Sequence, residues 1–135
     1  MASSKSHIDQ WKHNREFLVT IPAAYPDWIV TVAFYVSLHA VDALLSHDKV
    51  AGVTRHDARN AVVIRTNRYL AIKKAYLPLY DLSRRVRYLA DPSAWVPTHE
   101  LQKNVVERYL YPIEKSVQRL IGVNLALPQI SIGGV

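Results

Sequence analysis

Two pairs of residues have types and spacings that could do chemistry. His39 and Asp42 lie three apart, as do His56 and Arg59. On a helix that spacing puts both members of a pair on one face. Imidazole changes charge near neutral pH and can move a proton in catalysis. A guanidinium has the fork geometry that grips a phosphate or a carboxylate. His39, His56 and Arg59 are therefore the candidate catalytic residues. His39 and Asp42 could share a metal ion, but two ligands are too few. None of the six histidines has a further ligand at a spacing that demands a metal, so no metal site is expected. Cysteine is absent, which excludes thiolate ligands, a cysteine nucleophile and disulfides. There is no P-loop, no G-x-G-x-x-G and no H-E-x-x-H. No cofactor is expected.

The charge is concentrated. Residues 65–87 hold seven basic side chains (Arg65, Arg68, Lys73, Lys74, Arg84, Arg85, Arg87) and one acid, Asp81. That stretch alone carries the +6 of the whole 135-residue chain. Tyr69, Tyr76, Tyr80 and Tyr88 are interleaved with it. Aromatic rings stack on bases while Arg and Lys hold phosphates, so Arg59, Arg84, Arg85, Arg87 and Tyr88 are the candidate nucleotide- or RNA-binding residues. The competing reading is a solvated helix face, with the tyrosines at core spacing.

The elements that must position these groups read as helices. Ile8, Trp11, Arg15 and Leu18 share a face of a first helix, with Ser6-His7-Ile8-Asp9 as its capping box. Asp27 can cap a second helix over 28–45, where 14 of 18 residues are apolar. Such a segment is either buried or membrane-spanning. Its His39 and Asp42 argue against lipid, so it reads as the central helix of a bundle, with no membrane contact. Its polar residues Thr31, Tyr35, His39, Asp42 and Ser46 form one stripe. Buried there, they need partners: Arg59, Arg84 or Arg87 for Asp42, and Tyr80 or Ser83 for His39. Tyr35, His39, Asp42 and Ser83 thus make either a polar network that fixes helix register or a working cleft. Thr54-Arg55-His56-Asp57 reads as a second capping box, opening a helix that runs to about Thr66. In the next pattern, 73–91, Tyr76, Tyr80, Ser83 and Arg87 share one face. Pro78 either kinks a long helix or opens a new one; the second is preferred. Residues 91–97 read as a loop with Trp95 as a plug. Thr98 can cap a last helix whose buried stripe is Leu101, Val105, Tyr109, Ile113, Val117 and Leu120, and Gly122 can end it. The expected fold is all-α, an antiparallel bundle of four to five helices over 1–122. An uncharged apolar tail, 123–135, is expected to dock on this domain or on a partner. The first 14 residues are polar and do not read as a secretory signal; the expected location is cytoplasmic.

Three stretches resemble the HEPN family (higher eukaryotes and prokaryotes nucleotide-binding). They are residues 28–45 with Phe34-Tyr35-Val36-Ser37-Leu38-His39-Ala40-Val41-Asp42-Ala43, then His56-Asp57-Ala58-Arg59-Asn60, then Tyr80-Asp81-Leu82-Ser83-Arg84-Arg85-Val86-Arg87-Tyr88. The resemblance, over about 11–121, implies an all-helical bundle, a homodimer, and a place in bacterial toxin–antitoxin, defence or nucleotidyltransferase-associated systems. It implies RNA, a nucleotide or a partner protein encoded nearby as ligand. Nuclease members carry Arg followed after four to six residues by His and cut RNA without metal, with the 2′-hydroxyl as nucleophile. None of the six histidines here has an Arg at that distance before it; His56-x-x-Arg59 is the nearest substitute. The resemblance therefore carries over the scaffold and not the nuclease pair. A binding module is the leading expectation. A metal-independent ribonuclease and a purely structural dimerisation subunit are the alternatives.

Overall fold

A helix apolar on every side has no face to show to water, and it becomes the axis of the structure. In the computed structural model, which describes residues 3–88 and 97–133, this is helix α2, Pro26–His47. It is long and apolar enough to cross a membrane, yet 83% of its most apolar stretch is buried inside the bundle. It starts earlier than Asp27 predicts. Pro26 occupies the first turn, where its missing N–H costs nothing. Asp27 lies in that turn and favours the positive end of the helix dipole rather than capping it.

The other helices cover α2. Helix α1, Ser4–Leu18, lies along it and buries Trp11, Arg15 and Leu18. The Ser3 hydroxyl caps α1 by accepting from the Ser6 amide at 3.0 Å, so the cap sits three residues before the expected Ser6. Helix α3, His56–Arg65, begins without a side-chain cap, and Thr54 does not supply one. A 3-10 turn, Asn67–Tyr69, leads into α4, Leu70–Tyr88, which packs on α2 through Ile72, Ala75, Tyr76, Leu79, Ser83 and Val86. Pro78 lies inside α4 and does not open a new helix. The carbonyl it leaves without a donor is that of Lys74. Both residues are exposed, so water can take the place of the missing amide.

Helix α5, Thr98–Leu101, a π-helical segment Gln102–Leu110, and α6, Tyr111–Ile121, continue as one rod with helical backbone at both joints. The described residues thus form an all-helical bundle of five rods without strands. The π segment shifts the buried face: Leu101, Val105, Val106, Leu110, Ile113 and Val117 are buried, while Tyr109 and Leu120 of the expected stripe are only half-buried. Pro112 stands two positions beyond the π segment, and a wider turn spares the preceding carbonyls a clash with its ring. Thr98 does not cap α5; its hydroxyl donates to the Ala23 carbonyl at 2.6 Å. Gly122 ends α6 in the left-handed conformation at φ 84°, as expected. The stretch 89–96, with Leu89 and Trp95, lies outside the described residues.

The tail docks on its own domain. Ile130 and Ile132 are buried in the core. The Ile130 amide donates to the Tyr111 hydroxyl at 2.8 Å, and Gln102 bonds the Ile130 carbonyl and the Ile132 amide. Ile130 and Ile132 are thus spent on the tail's own domain, while Val123 stays exposed. It also joins a polar knot absent from the sequence-based network. The buried Glu114 carboxylate accepts from Trp11 Nε1 at 2.7 Å and from Arg15 Nε at 2.7 Å and Nη2 at 3.2 Å. Arg15 Nη1 donates to the Pro128 carbonyl at 2.8 Å. Glu114→Ala strands a buried guanidinium and an indole N–H, so urea unfolding should show a loss of about 3–5 kcal/mol. A loss below about 1 kcal/mol would show that this knot does not hold α1 to α6 and the tail.

Candidate functional site

The polar stripe of α2 reaches three different helices. Asp42 takes its cation from α3. Arg59 Nε donates to Oδ1 at 2.6 Å and Nη2 to Oδ2 at 2.9 Å, with both side chains nine-tenths buried or more. Burial disfavours the Arg59 charge, but the bond to Asp42 outweighs it and raises the guanidinium pKa. Arg59 is thus committed to a carboxylate, which places it beneath the site as a positioning group. Its Nη1 lies 3.5 Å from His56 Nδ1. The Tyr76 hydroxyl is buried nearby without a hydrogen bond of good geometry among the described residues, and burial raises its pKa.

Tyr35 is reached from α4. Arg87 Nη1 donates to its hydroxyl at 3.1 Å, and Nε donates to the Ser83 carbonyl at 3.2 Å. The Arg87 guanidinium also lies 5.7 Å from the Tyr35 ring centre and 5.3 Å from that of Tyr88. His39 is met from α1: His7 Nδ1 lies 3.1 Å from His39 Nδ1, and the two rings stack. Ser83 does not join the network. It is fully buried and its hydroxyl has no partner among the described residues. Burial separates the two: Ser83 faces the core of α4, while His39 turns toward α1.

Above this layer lies an open cleft of about 650 Å³, lined by Tyr35, Leu38, Arg55, His56, Arg59 and Tyr80 among others. His56 stands at the start of α3, its ring packed against Phe34 and Tyr80. Arg55 is exposed and paired with Asp57 at 3.0 Å. A smaller notch of about 200 Å³ follows on α4 between Asp81, Arg84, Arg85 and Tyr88. Arg84 lies over the Tyr80 ring, Arg85 pairs with Asp81 at 3.2 Å, and Tyr88 is 72% exposed. The basic stretch is not one patch. Arg68 is tied to Asp48 by two hydrogen bonds of 2.8 and 3.1 Å. Lys73 and Lys74 sit roughly 15 Å along α4 from Arg84.

His7 was not foreseen. Its only signal in the sequence is the four-residue spacing to Trp11, which turns it to the inner side of α1. No family model matches the chain, and no curated protein or solved structure does.

Both inner imidazoles are shifted toward the neutral form. Burial lowers the His56 pKa, and the Arg59 and Arg87 charges lower it further against the pull of Asp42. Burial lowers that of His39 as well, with His7 adding to it. An unfolded chain takes up these protons near pH 6.5, so below that pH protons favour unfolding. Stability is full above pH 6.5 and falls as the pH drops toward the lowered folded values. The urea midpoint should be lower at pH 5.5 than at pH 7.5, and the drop should shrink in His56→Gln. Equal midpoints would contradict the assignment.

Proposed function

We propose that the chain is a HEPN-like helical module that binds single-stranded RNA along the C-terminal half of α4 and the His56 cleft. The observation that carries this reading is the exposed Tyr88 ring among Arg84, Arg85 and Arg87, directly next to an open cleft lined by Tyr35, Tyr80 and Arg55. A base can stack on Tyr88 while the neighbouring guanidiniums hold its phosphates. The two cations bound elsewhere, Arg59 and Arg68, take no part. Homodimerisation is what the resemblance implies, and Ile130 and Ile132 of the tail, buried in their own domain, would not take part in it. Cytoplasmic RNA in a bacterial defence or toxin–antitoxin setting is the ligand source that fits this reading.

Fluorescence anisotropy with a labelled single-stranded RNA tests it. Each phosphate contact on a single strand contributes about 0.7 to the slope of log K against log salt. Arg84→Gln with Arg85→Gln should lower that slope by about 1.4. Tyr88→Ala should cost about 1–3 kcal/mol of binding. Unchanged binding in both variants would reduce these residues to a solubility role.

A second reading rests on His56: a neutral imidazole at an open cleft, flanked by cations, can accept the proton of a 2′-hydroxyl. Cleavage of the same RNA in EDTA that is lost in His56→Ala supports a metal-independent ribonuclease. RNA that stays intact leaves binding as the function.

A further inference from the structure

The polar stripe of α2 meets α1 at a group that the RNA site does not use. His7 Nδ1 and His39 Nδ1 face each other at 3.1 Å, with ring centres 5.3 Å apart. Asp42 completes a set of three whose ligand atoms all lie within 4.8 Å of one another. We propose that His7, His39 and Asp42 form a site for one divalent transition-metal ion, with zinc as the best fit.

The spacing suits a shared ion. With Zn–N bonds of about 2.0–2.1 Å, two nitrogens on one ion lie roughly 2.8–3.4 Å apart between right-angled and tetrahedral arrangements. The observed 3.1 Å falls in that range. Without an ion, one imidazole must donate to the other and fix both tautomers. With an ion, both ring lone pairs are used at once. Both histidines are half-buried, on neighbouring helices held by the α1–α2 packing. Two ligand atoms on one tetrahedral zinc lie roughly 3.4 Å apart, so a set spread over as much as 4.8 Å must draw in by up to about 1.4 Å, chiefly at the carboxylate.

Asp42 can serve while keeping Arg59. Each carboxylate oxygen accepts one bond from the guanidinium and retains a second acceptor position. Arg59 then orients the ligating carboxylate from outside the metal's own shell. Its positive charge opposes the dication, so affinity depends on the two imidazoles. This selects Zn²⁺, Ni²⁺ or Cu²⁺ over Mg²⁺ or Ca²⁺, which prefer oxygen ligands. Three protein ligands leave a fourth position for water.

Calorimetric titration of the EDTA-stripped, dialysed full chain with Zn²⁺ tests the site. One ion per chain is expected, with a higher melting temperature, and no heat with Mg²⁺. His7→Ala should weaken Zn²⁺ binding by about tenfold or more and abolish the melting shift. His7→Gln, which keeps the side-chain bulk, should do the same if His7→Ala folds poorly. The variant lacking His13, His47 and His99 should bind like the wild type. Co²⁺ should give a visible absorption band that His7→Ala lacks. Wild type that takes up no Zn²⁺, His7 variants that bind as tightly as wild type, or loss of binding on removing His13, His47 and His99 would each overturn the proposal.

Discussion

A carboxylate inside an apolar helix is tolerable only where a cation comes to it, and Asp42 imposes that condition on the middle of the bundle. The cation cannot come from α2, which contains no Lys or Arg. It comes from α3, so α3 must lie where Arg59 can reach inward with both its Nε and Nη2. That placement sets His56, one turn earlier on the same face, at the edge of the cleft. The pair also explains why Arg59 differs from the arginines of α4. Desolvation makes the buried pair a poor source of net stability, but losing one partner strands the other. The pair therefore specifies which way α3 docks more than it strengthens the fold.

The two inner histidines diverge from similar beginnings. Each sits on a helix three residues from a charged side chain, and each is shifted toward the neutral form. His56 opens onto the solvent-filled cleft and is backed by Arg59, while His39 is closed off by the ring of His7. Proton transfer to a bound ligand suits the first, and shared coordination or a ring-to-ring hydrogen bond suits the second. Arg87 joins the His56 cleft to the notch on α4, since it reaches Tyr35 and lies beside Tyr88.

Much of this was legible in the sequence because helical periodicity is local. The all-helical fold, the buried α2, the need of Asp42 for a cation and the Gly122 stop follow from spacing and from the cost of a buried charge; that the cation is Arg59 and not Arg84 or Arg87 shows only in the fold. The helix starts were less legible, because Ser3 and Ser6 are both competent caps and Pro26 competes with Asp27. Pro78 was misread because its effect depends on whether the freed carbonyl meets water. The π segment was invisible, since Pro112 alone does not reveal how the chain relieves its clash. His7 and Glu114 were missed for a different reason: their partners lie 32 and up to 103 residues away. No window of sequence contains both ends of such a contact.

The reach of Arg15 has a consequence for how the chain acquires its structure. Its partners Glu114 and Pro128 are 99 and 113 positions away. During synthesis, α1 leaves the ribosome long before either partner exists, and its Trp11–Arg15 face stays open until α6 and the tail emerge. Helical bundles usually fold quickly because their contacts are local. Here the closing contact joins residues 113 positions apart, so it waits until Pro128 has been made. Until then the nascent α1 and α2 expose apolar surface of the kind that chaperones shield.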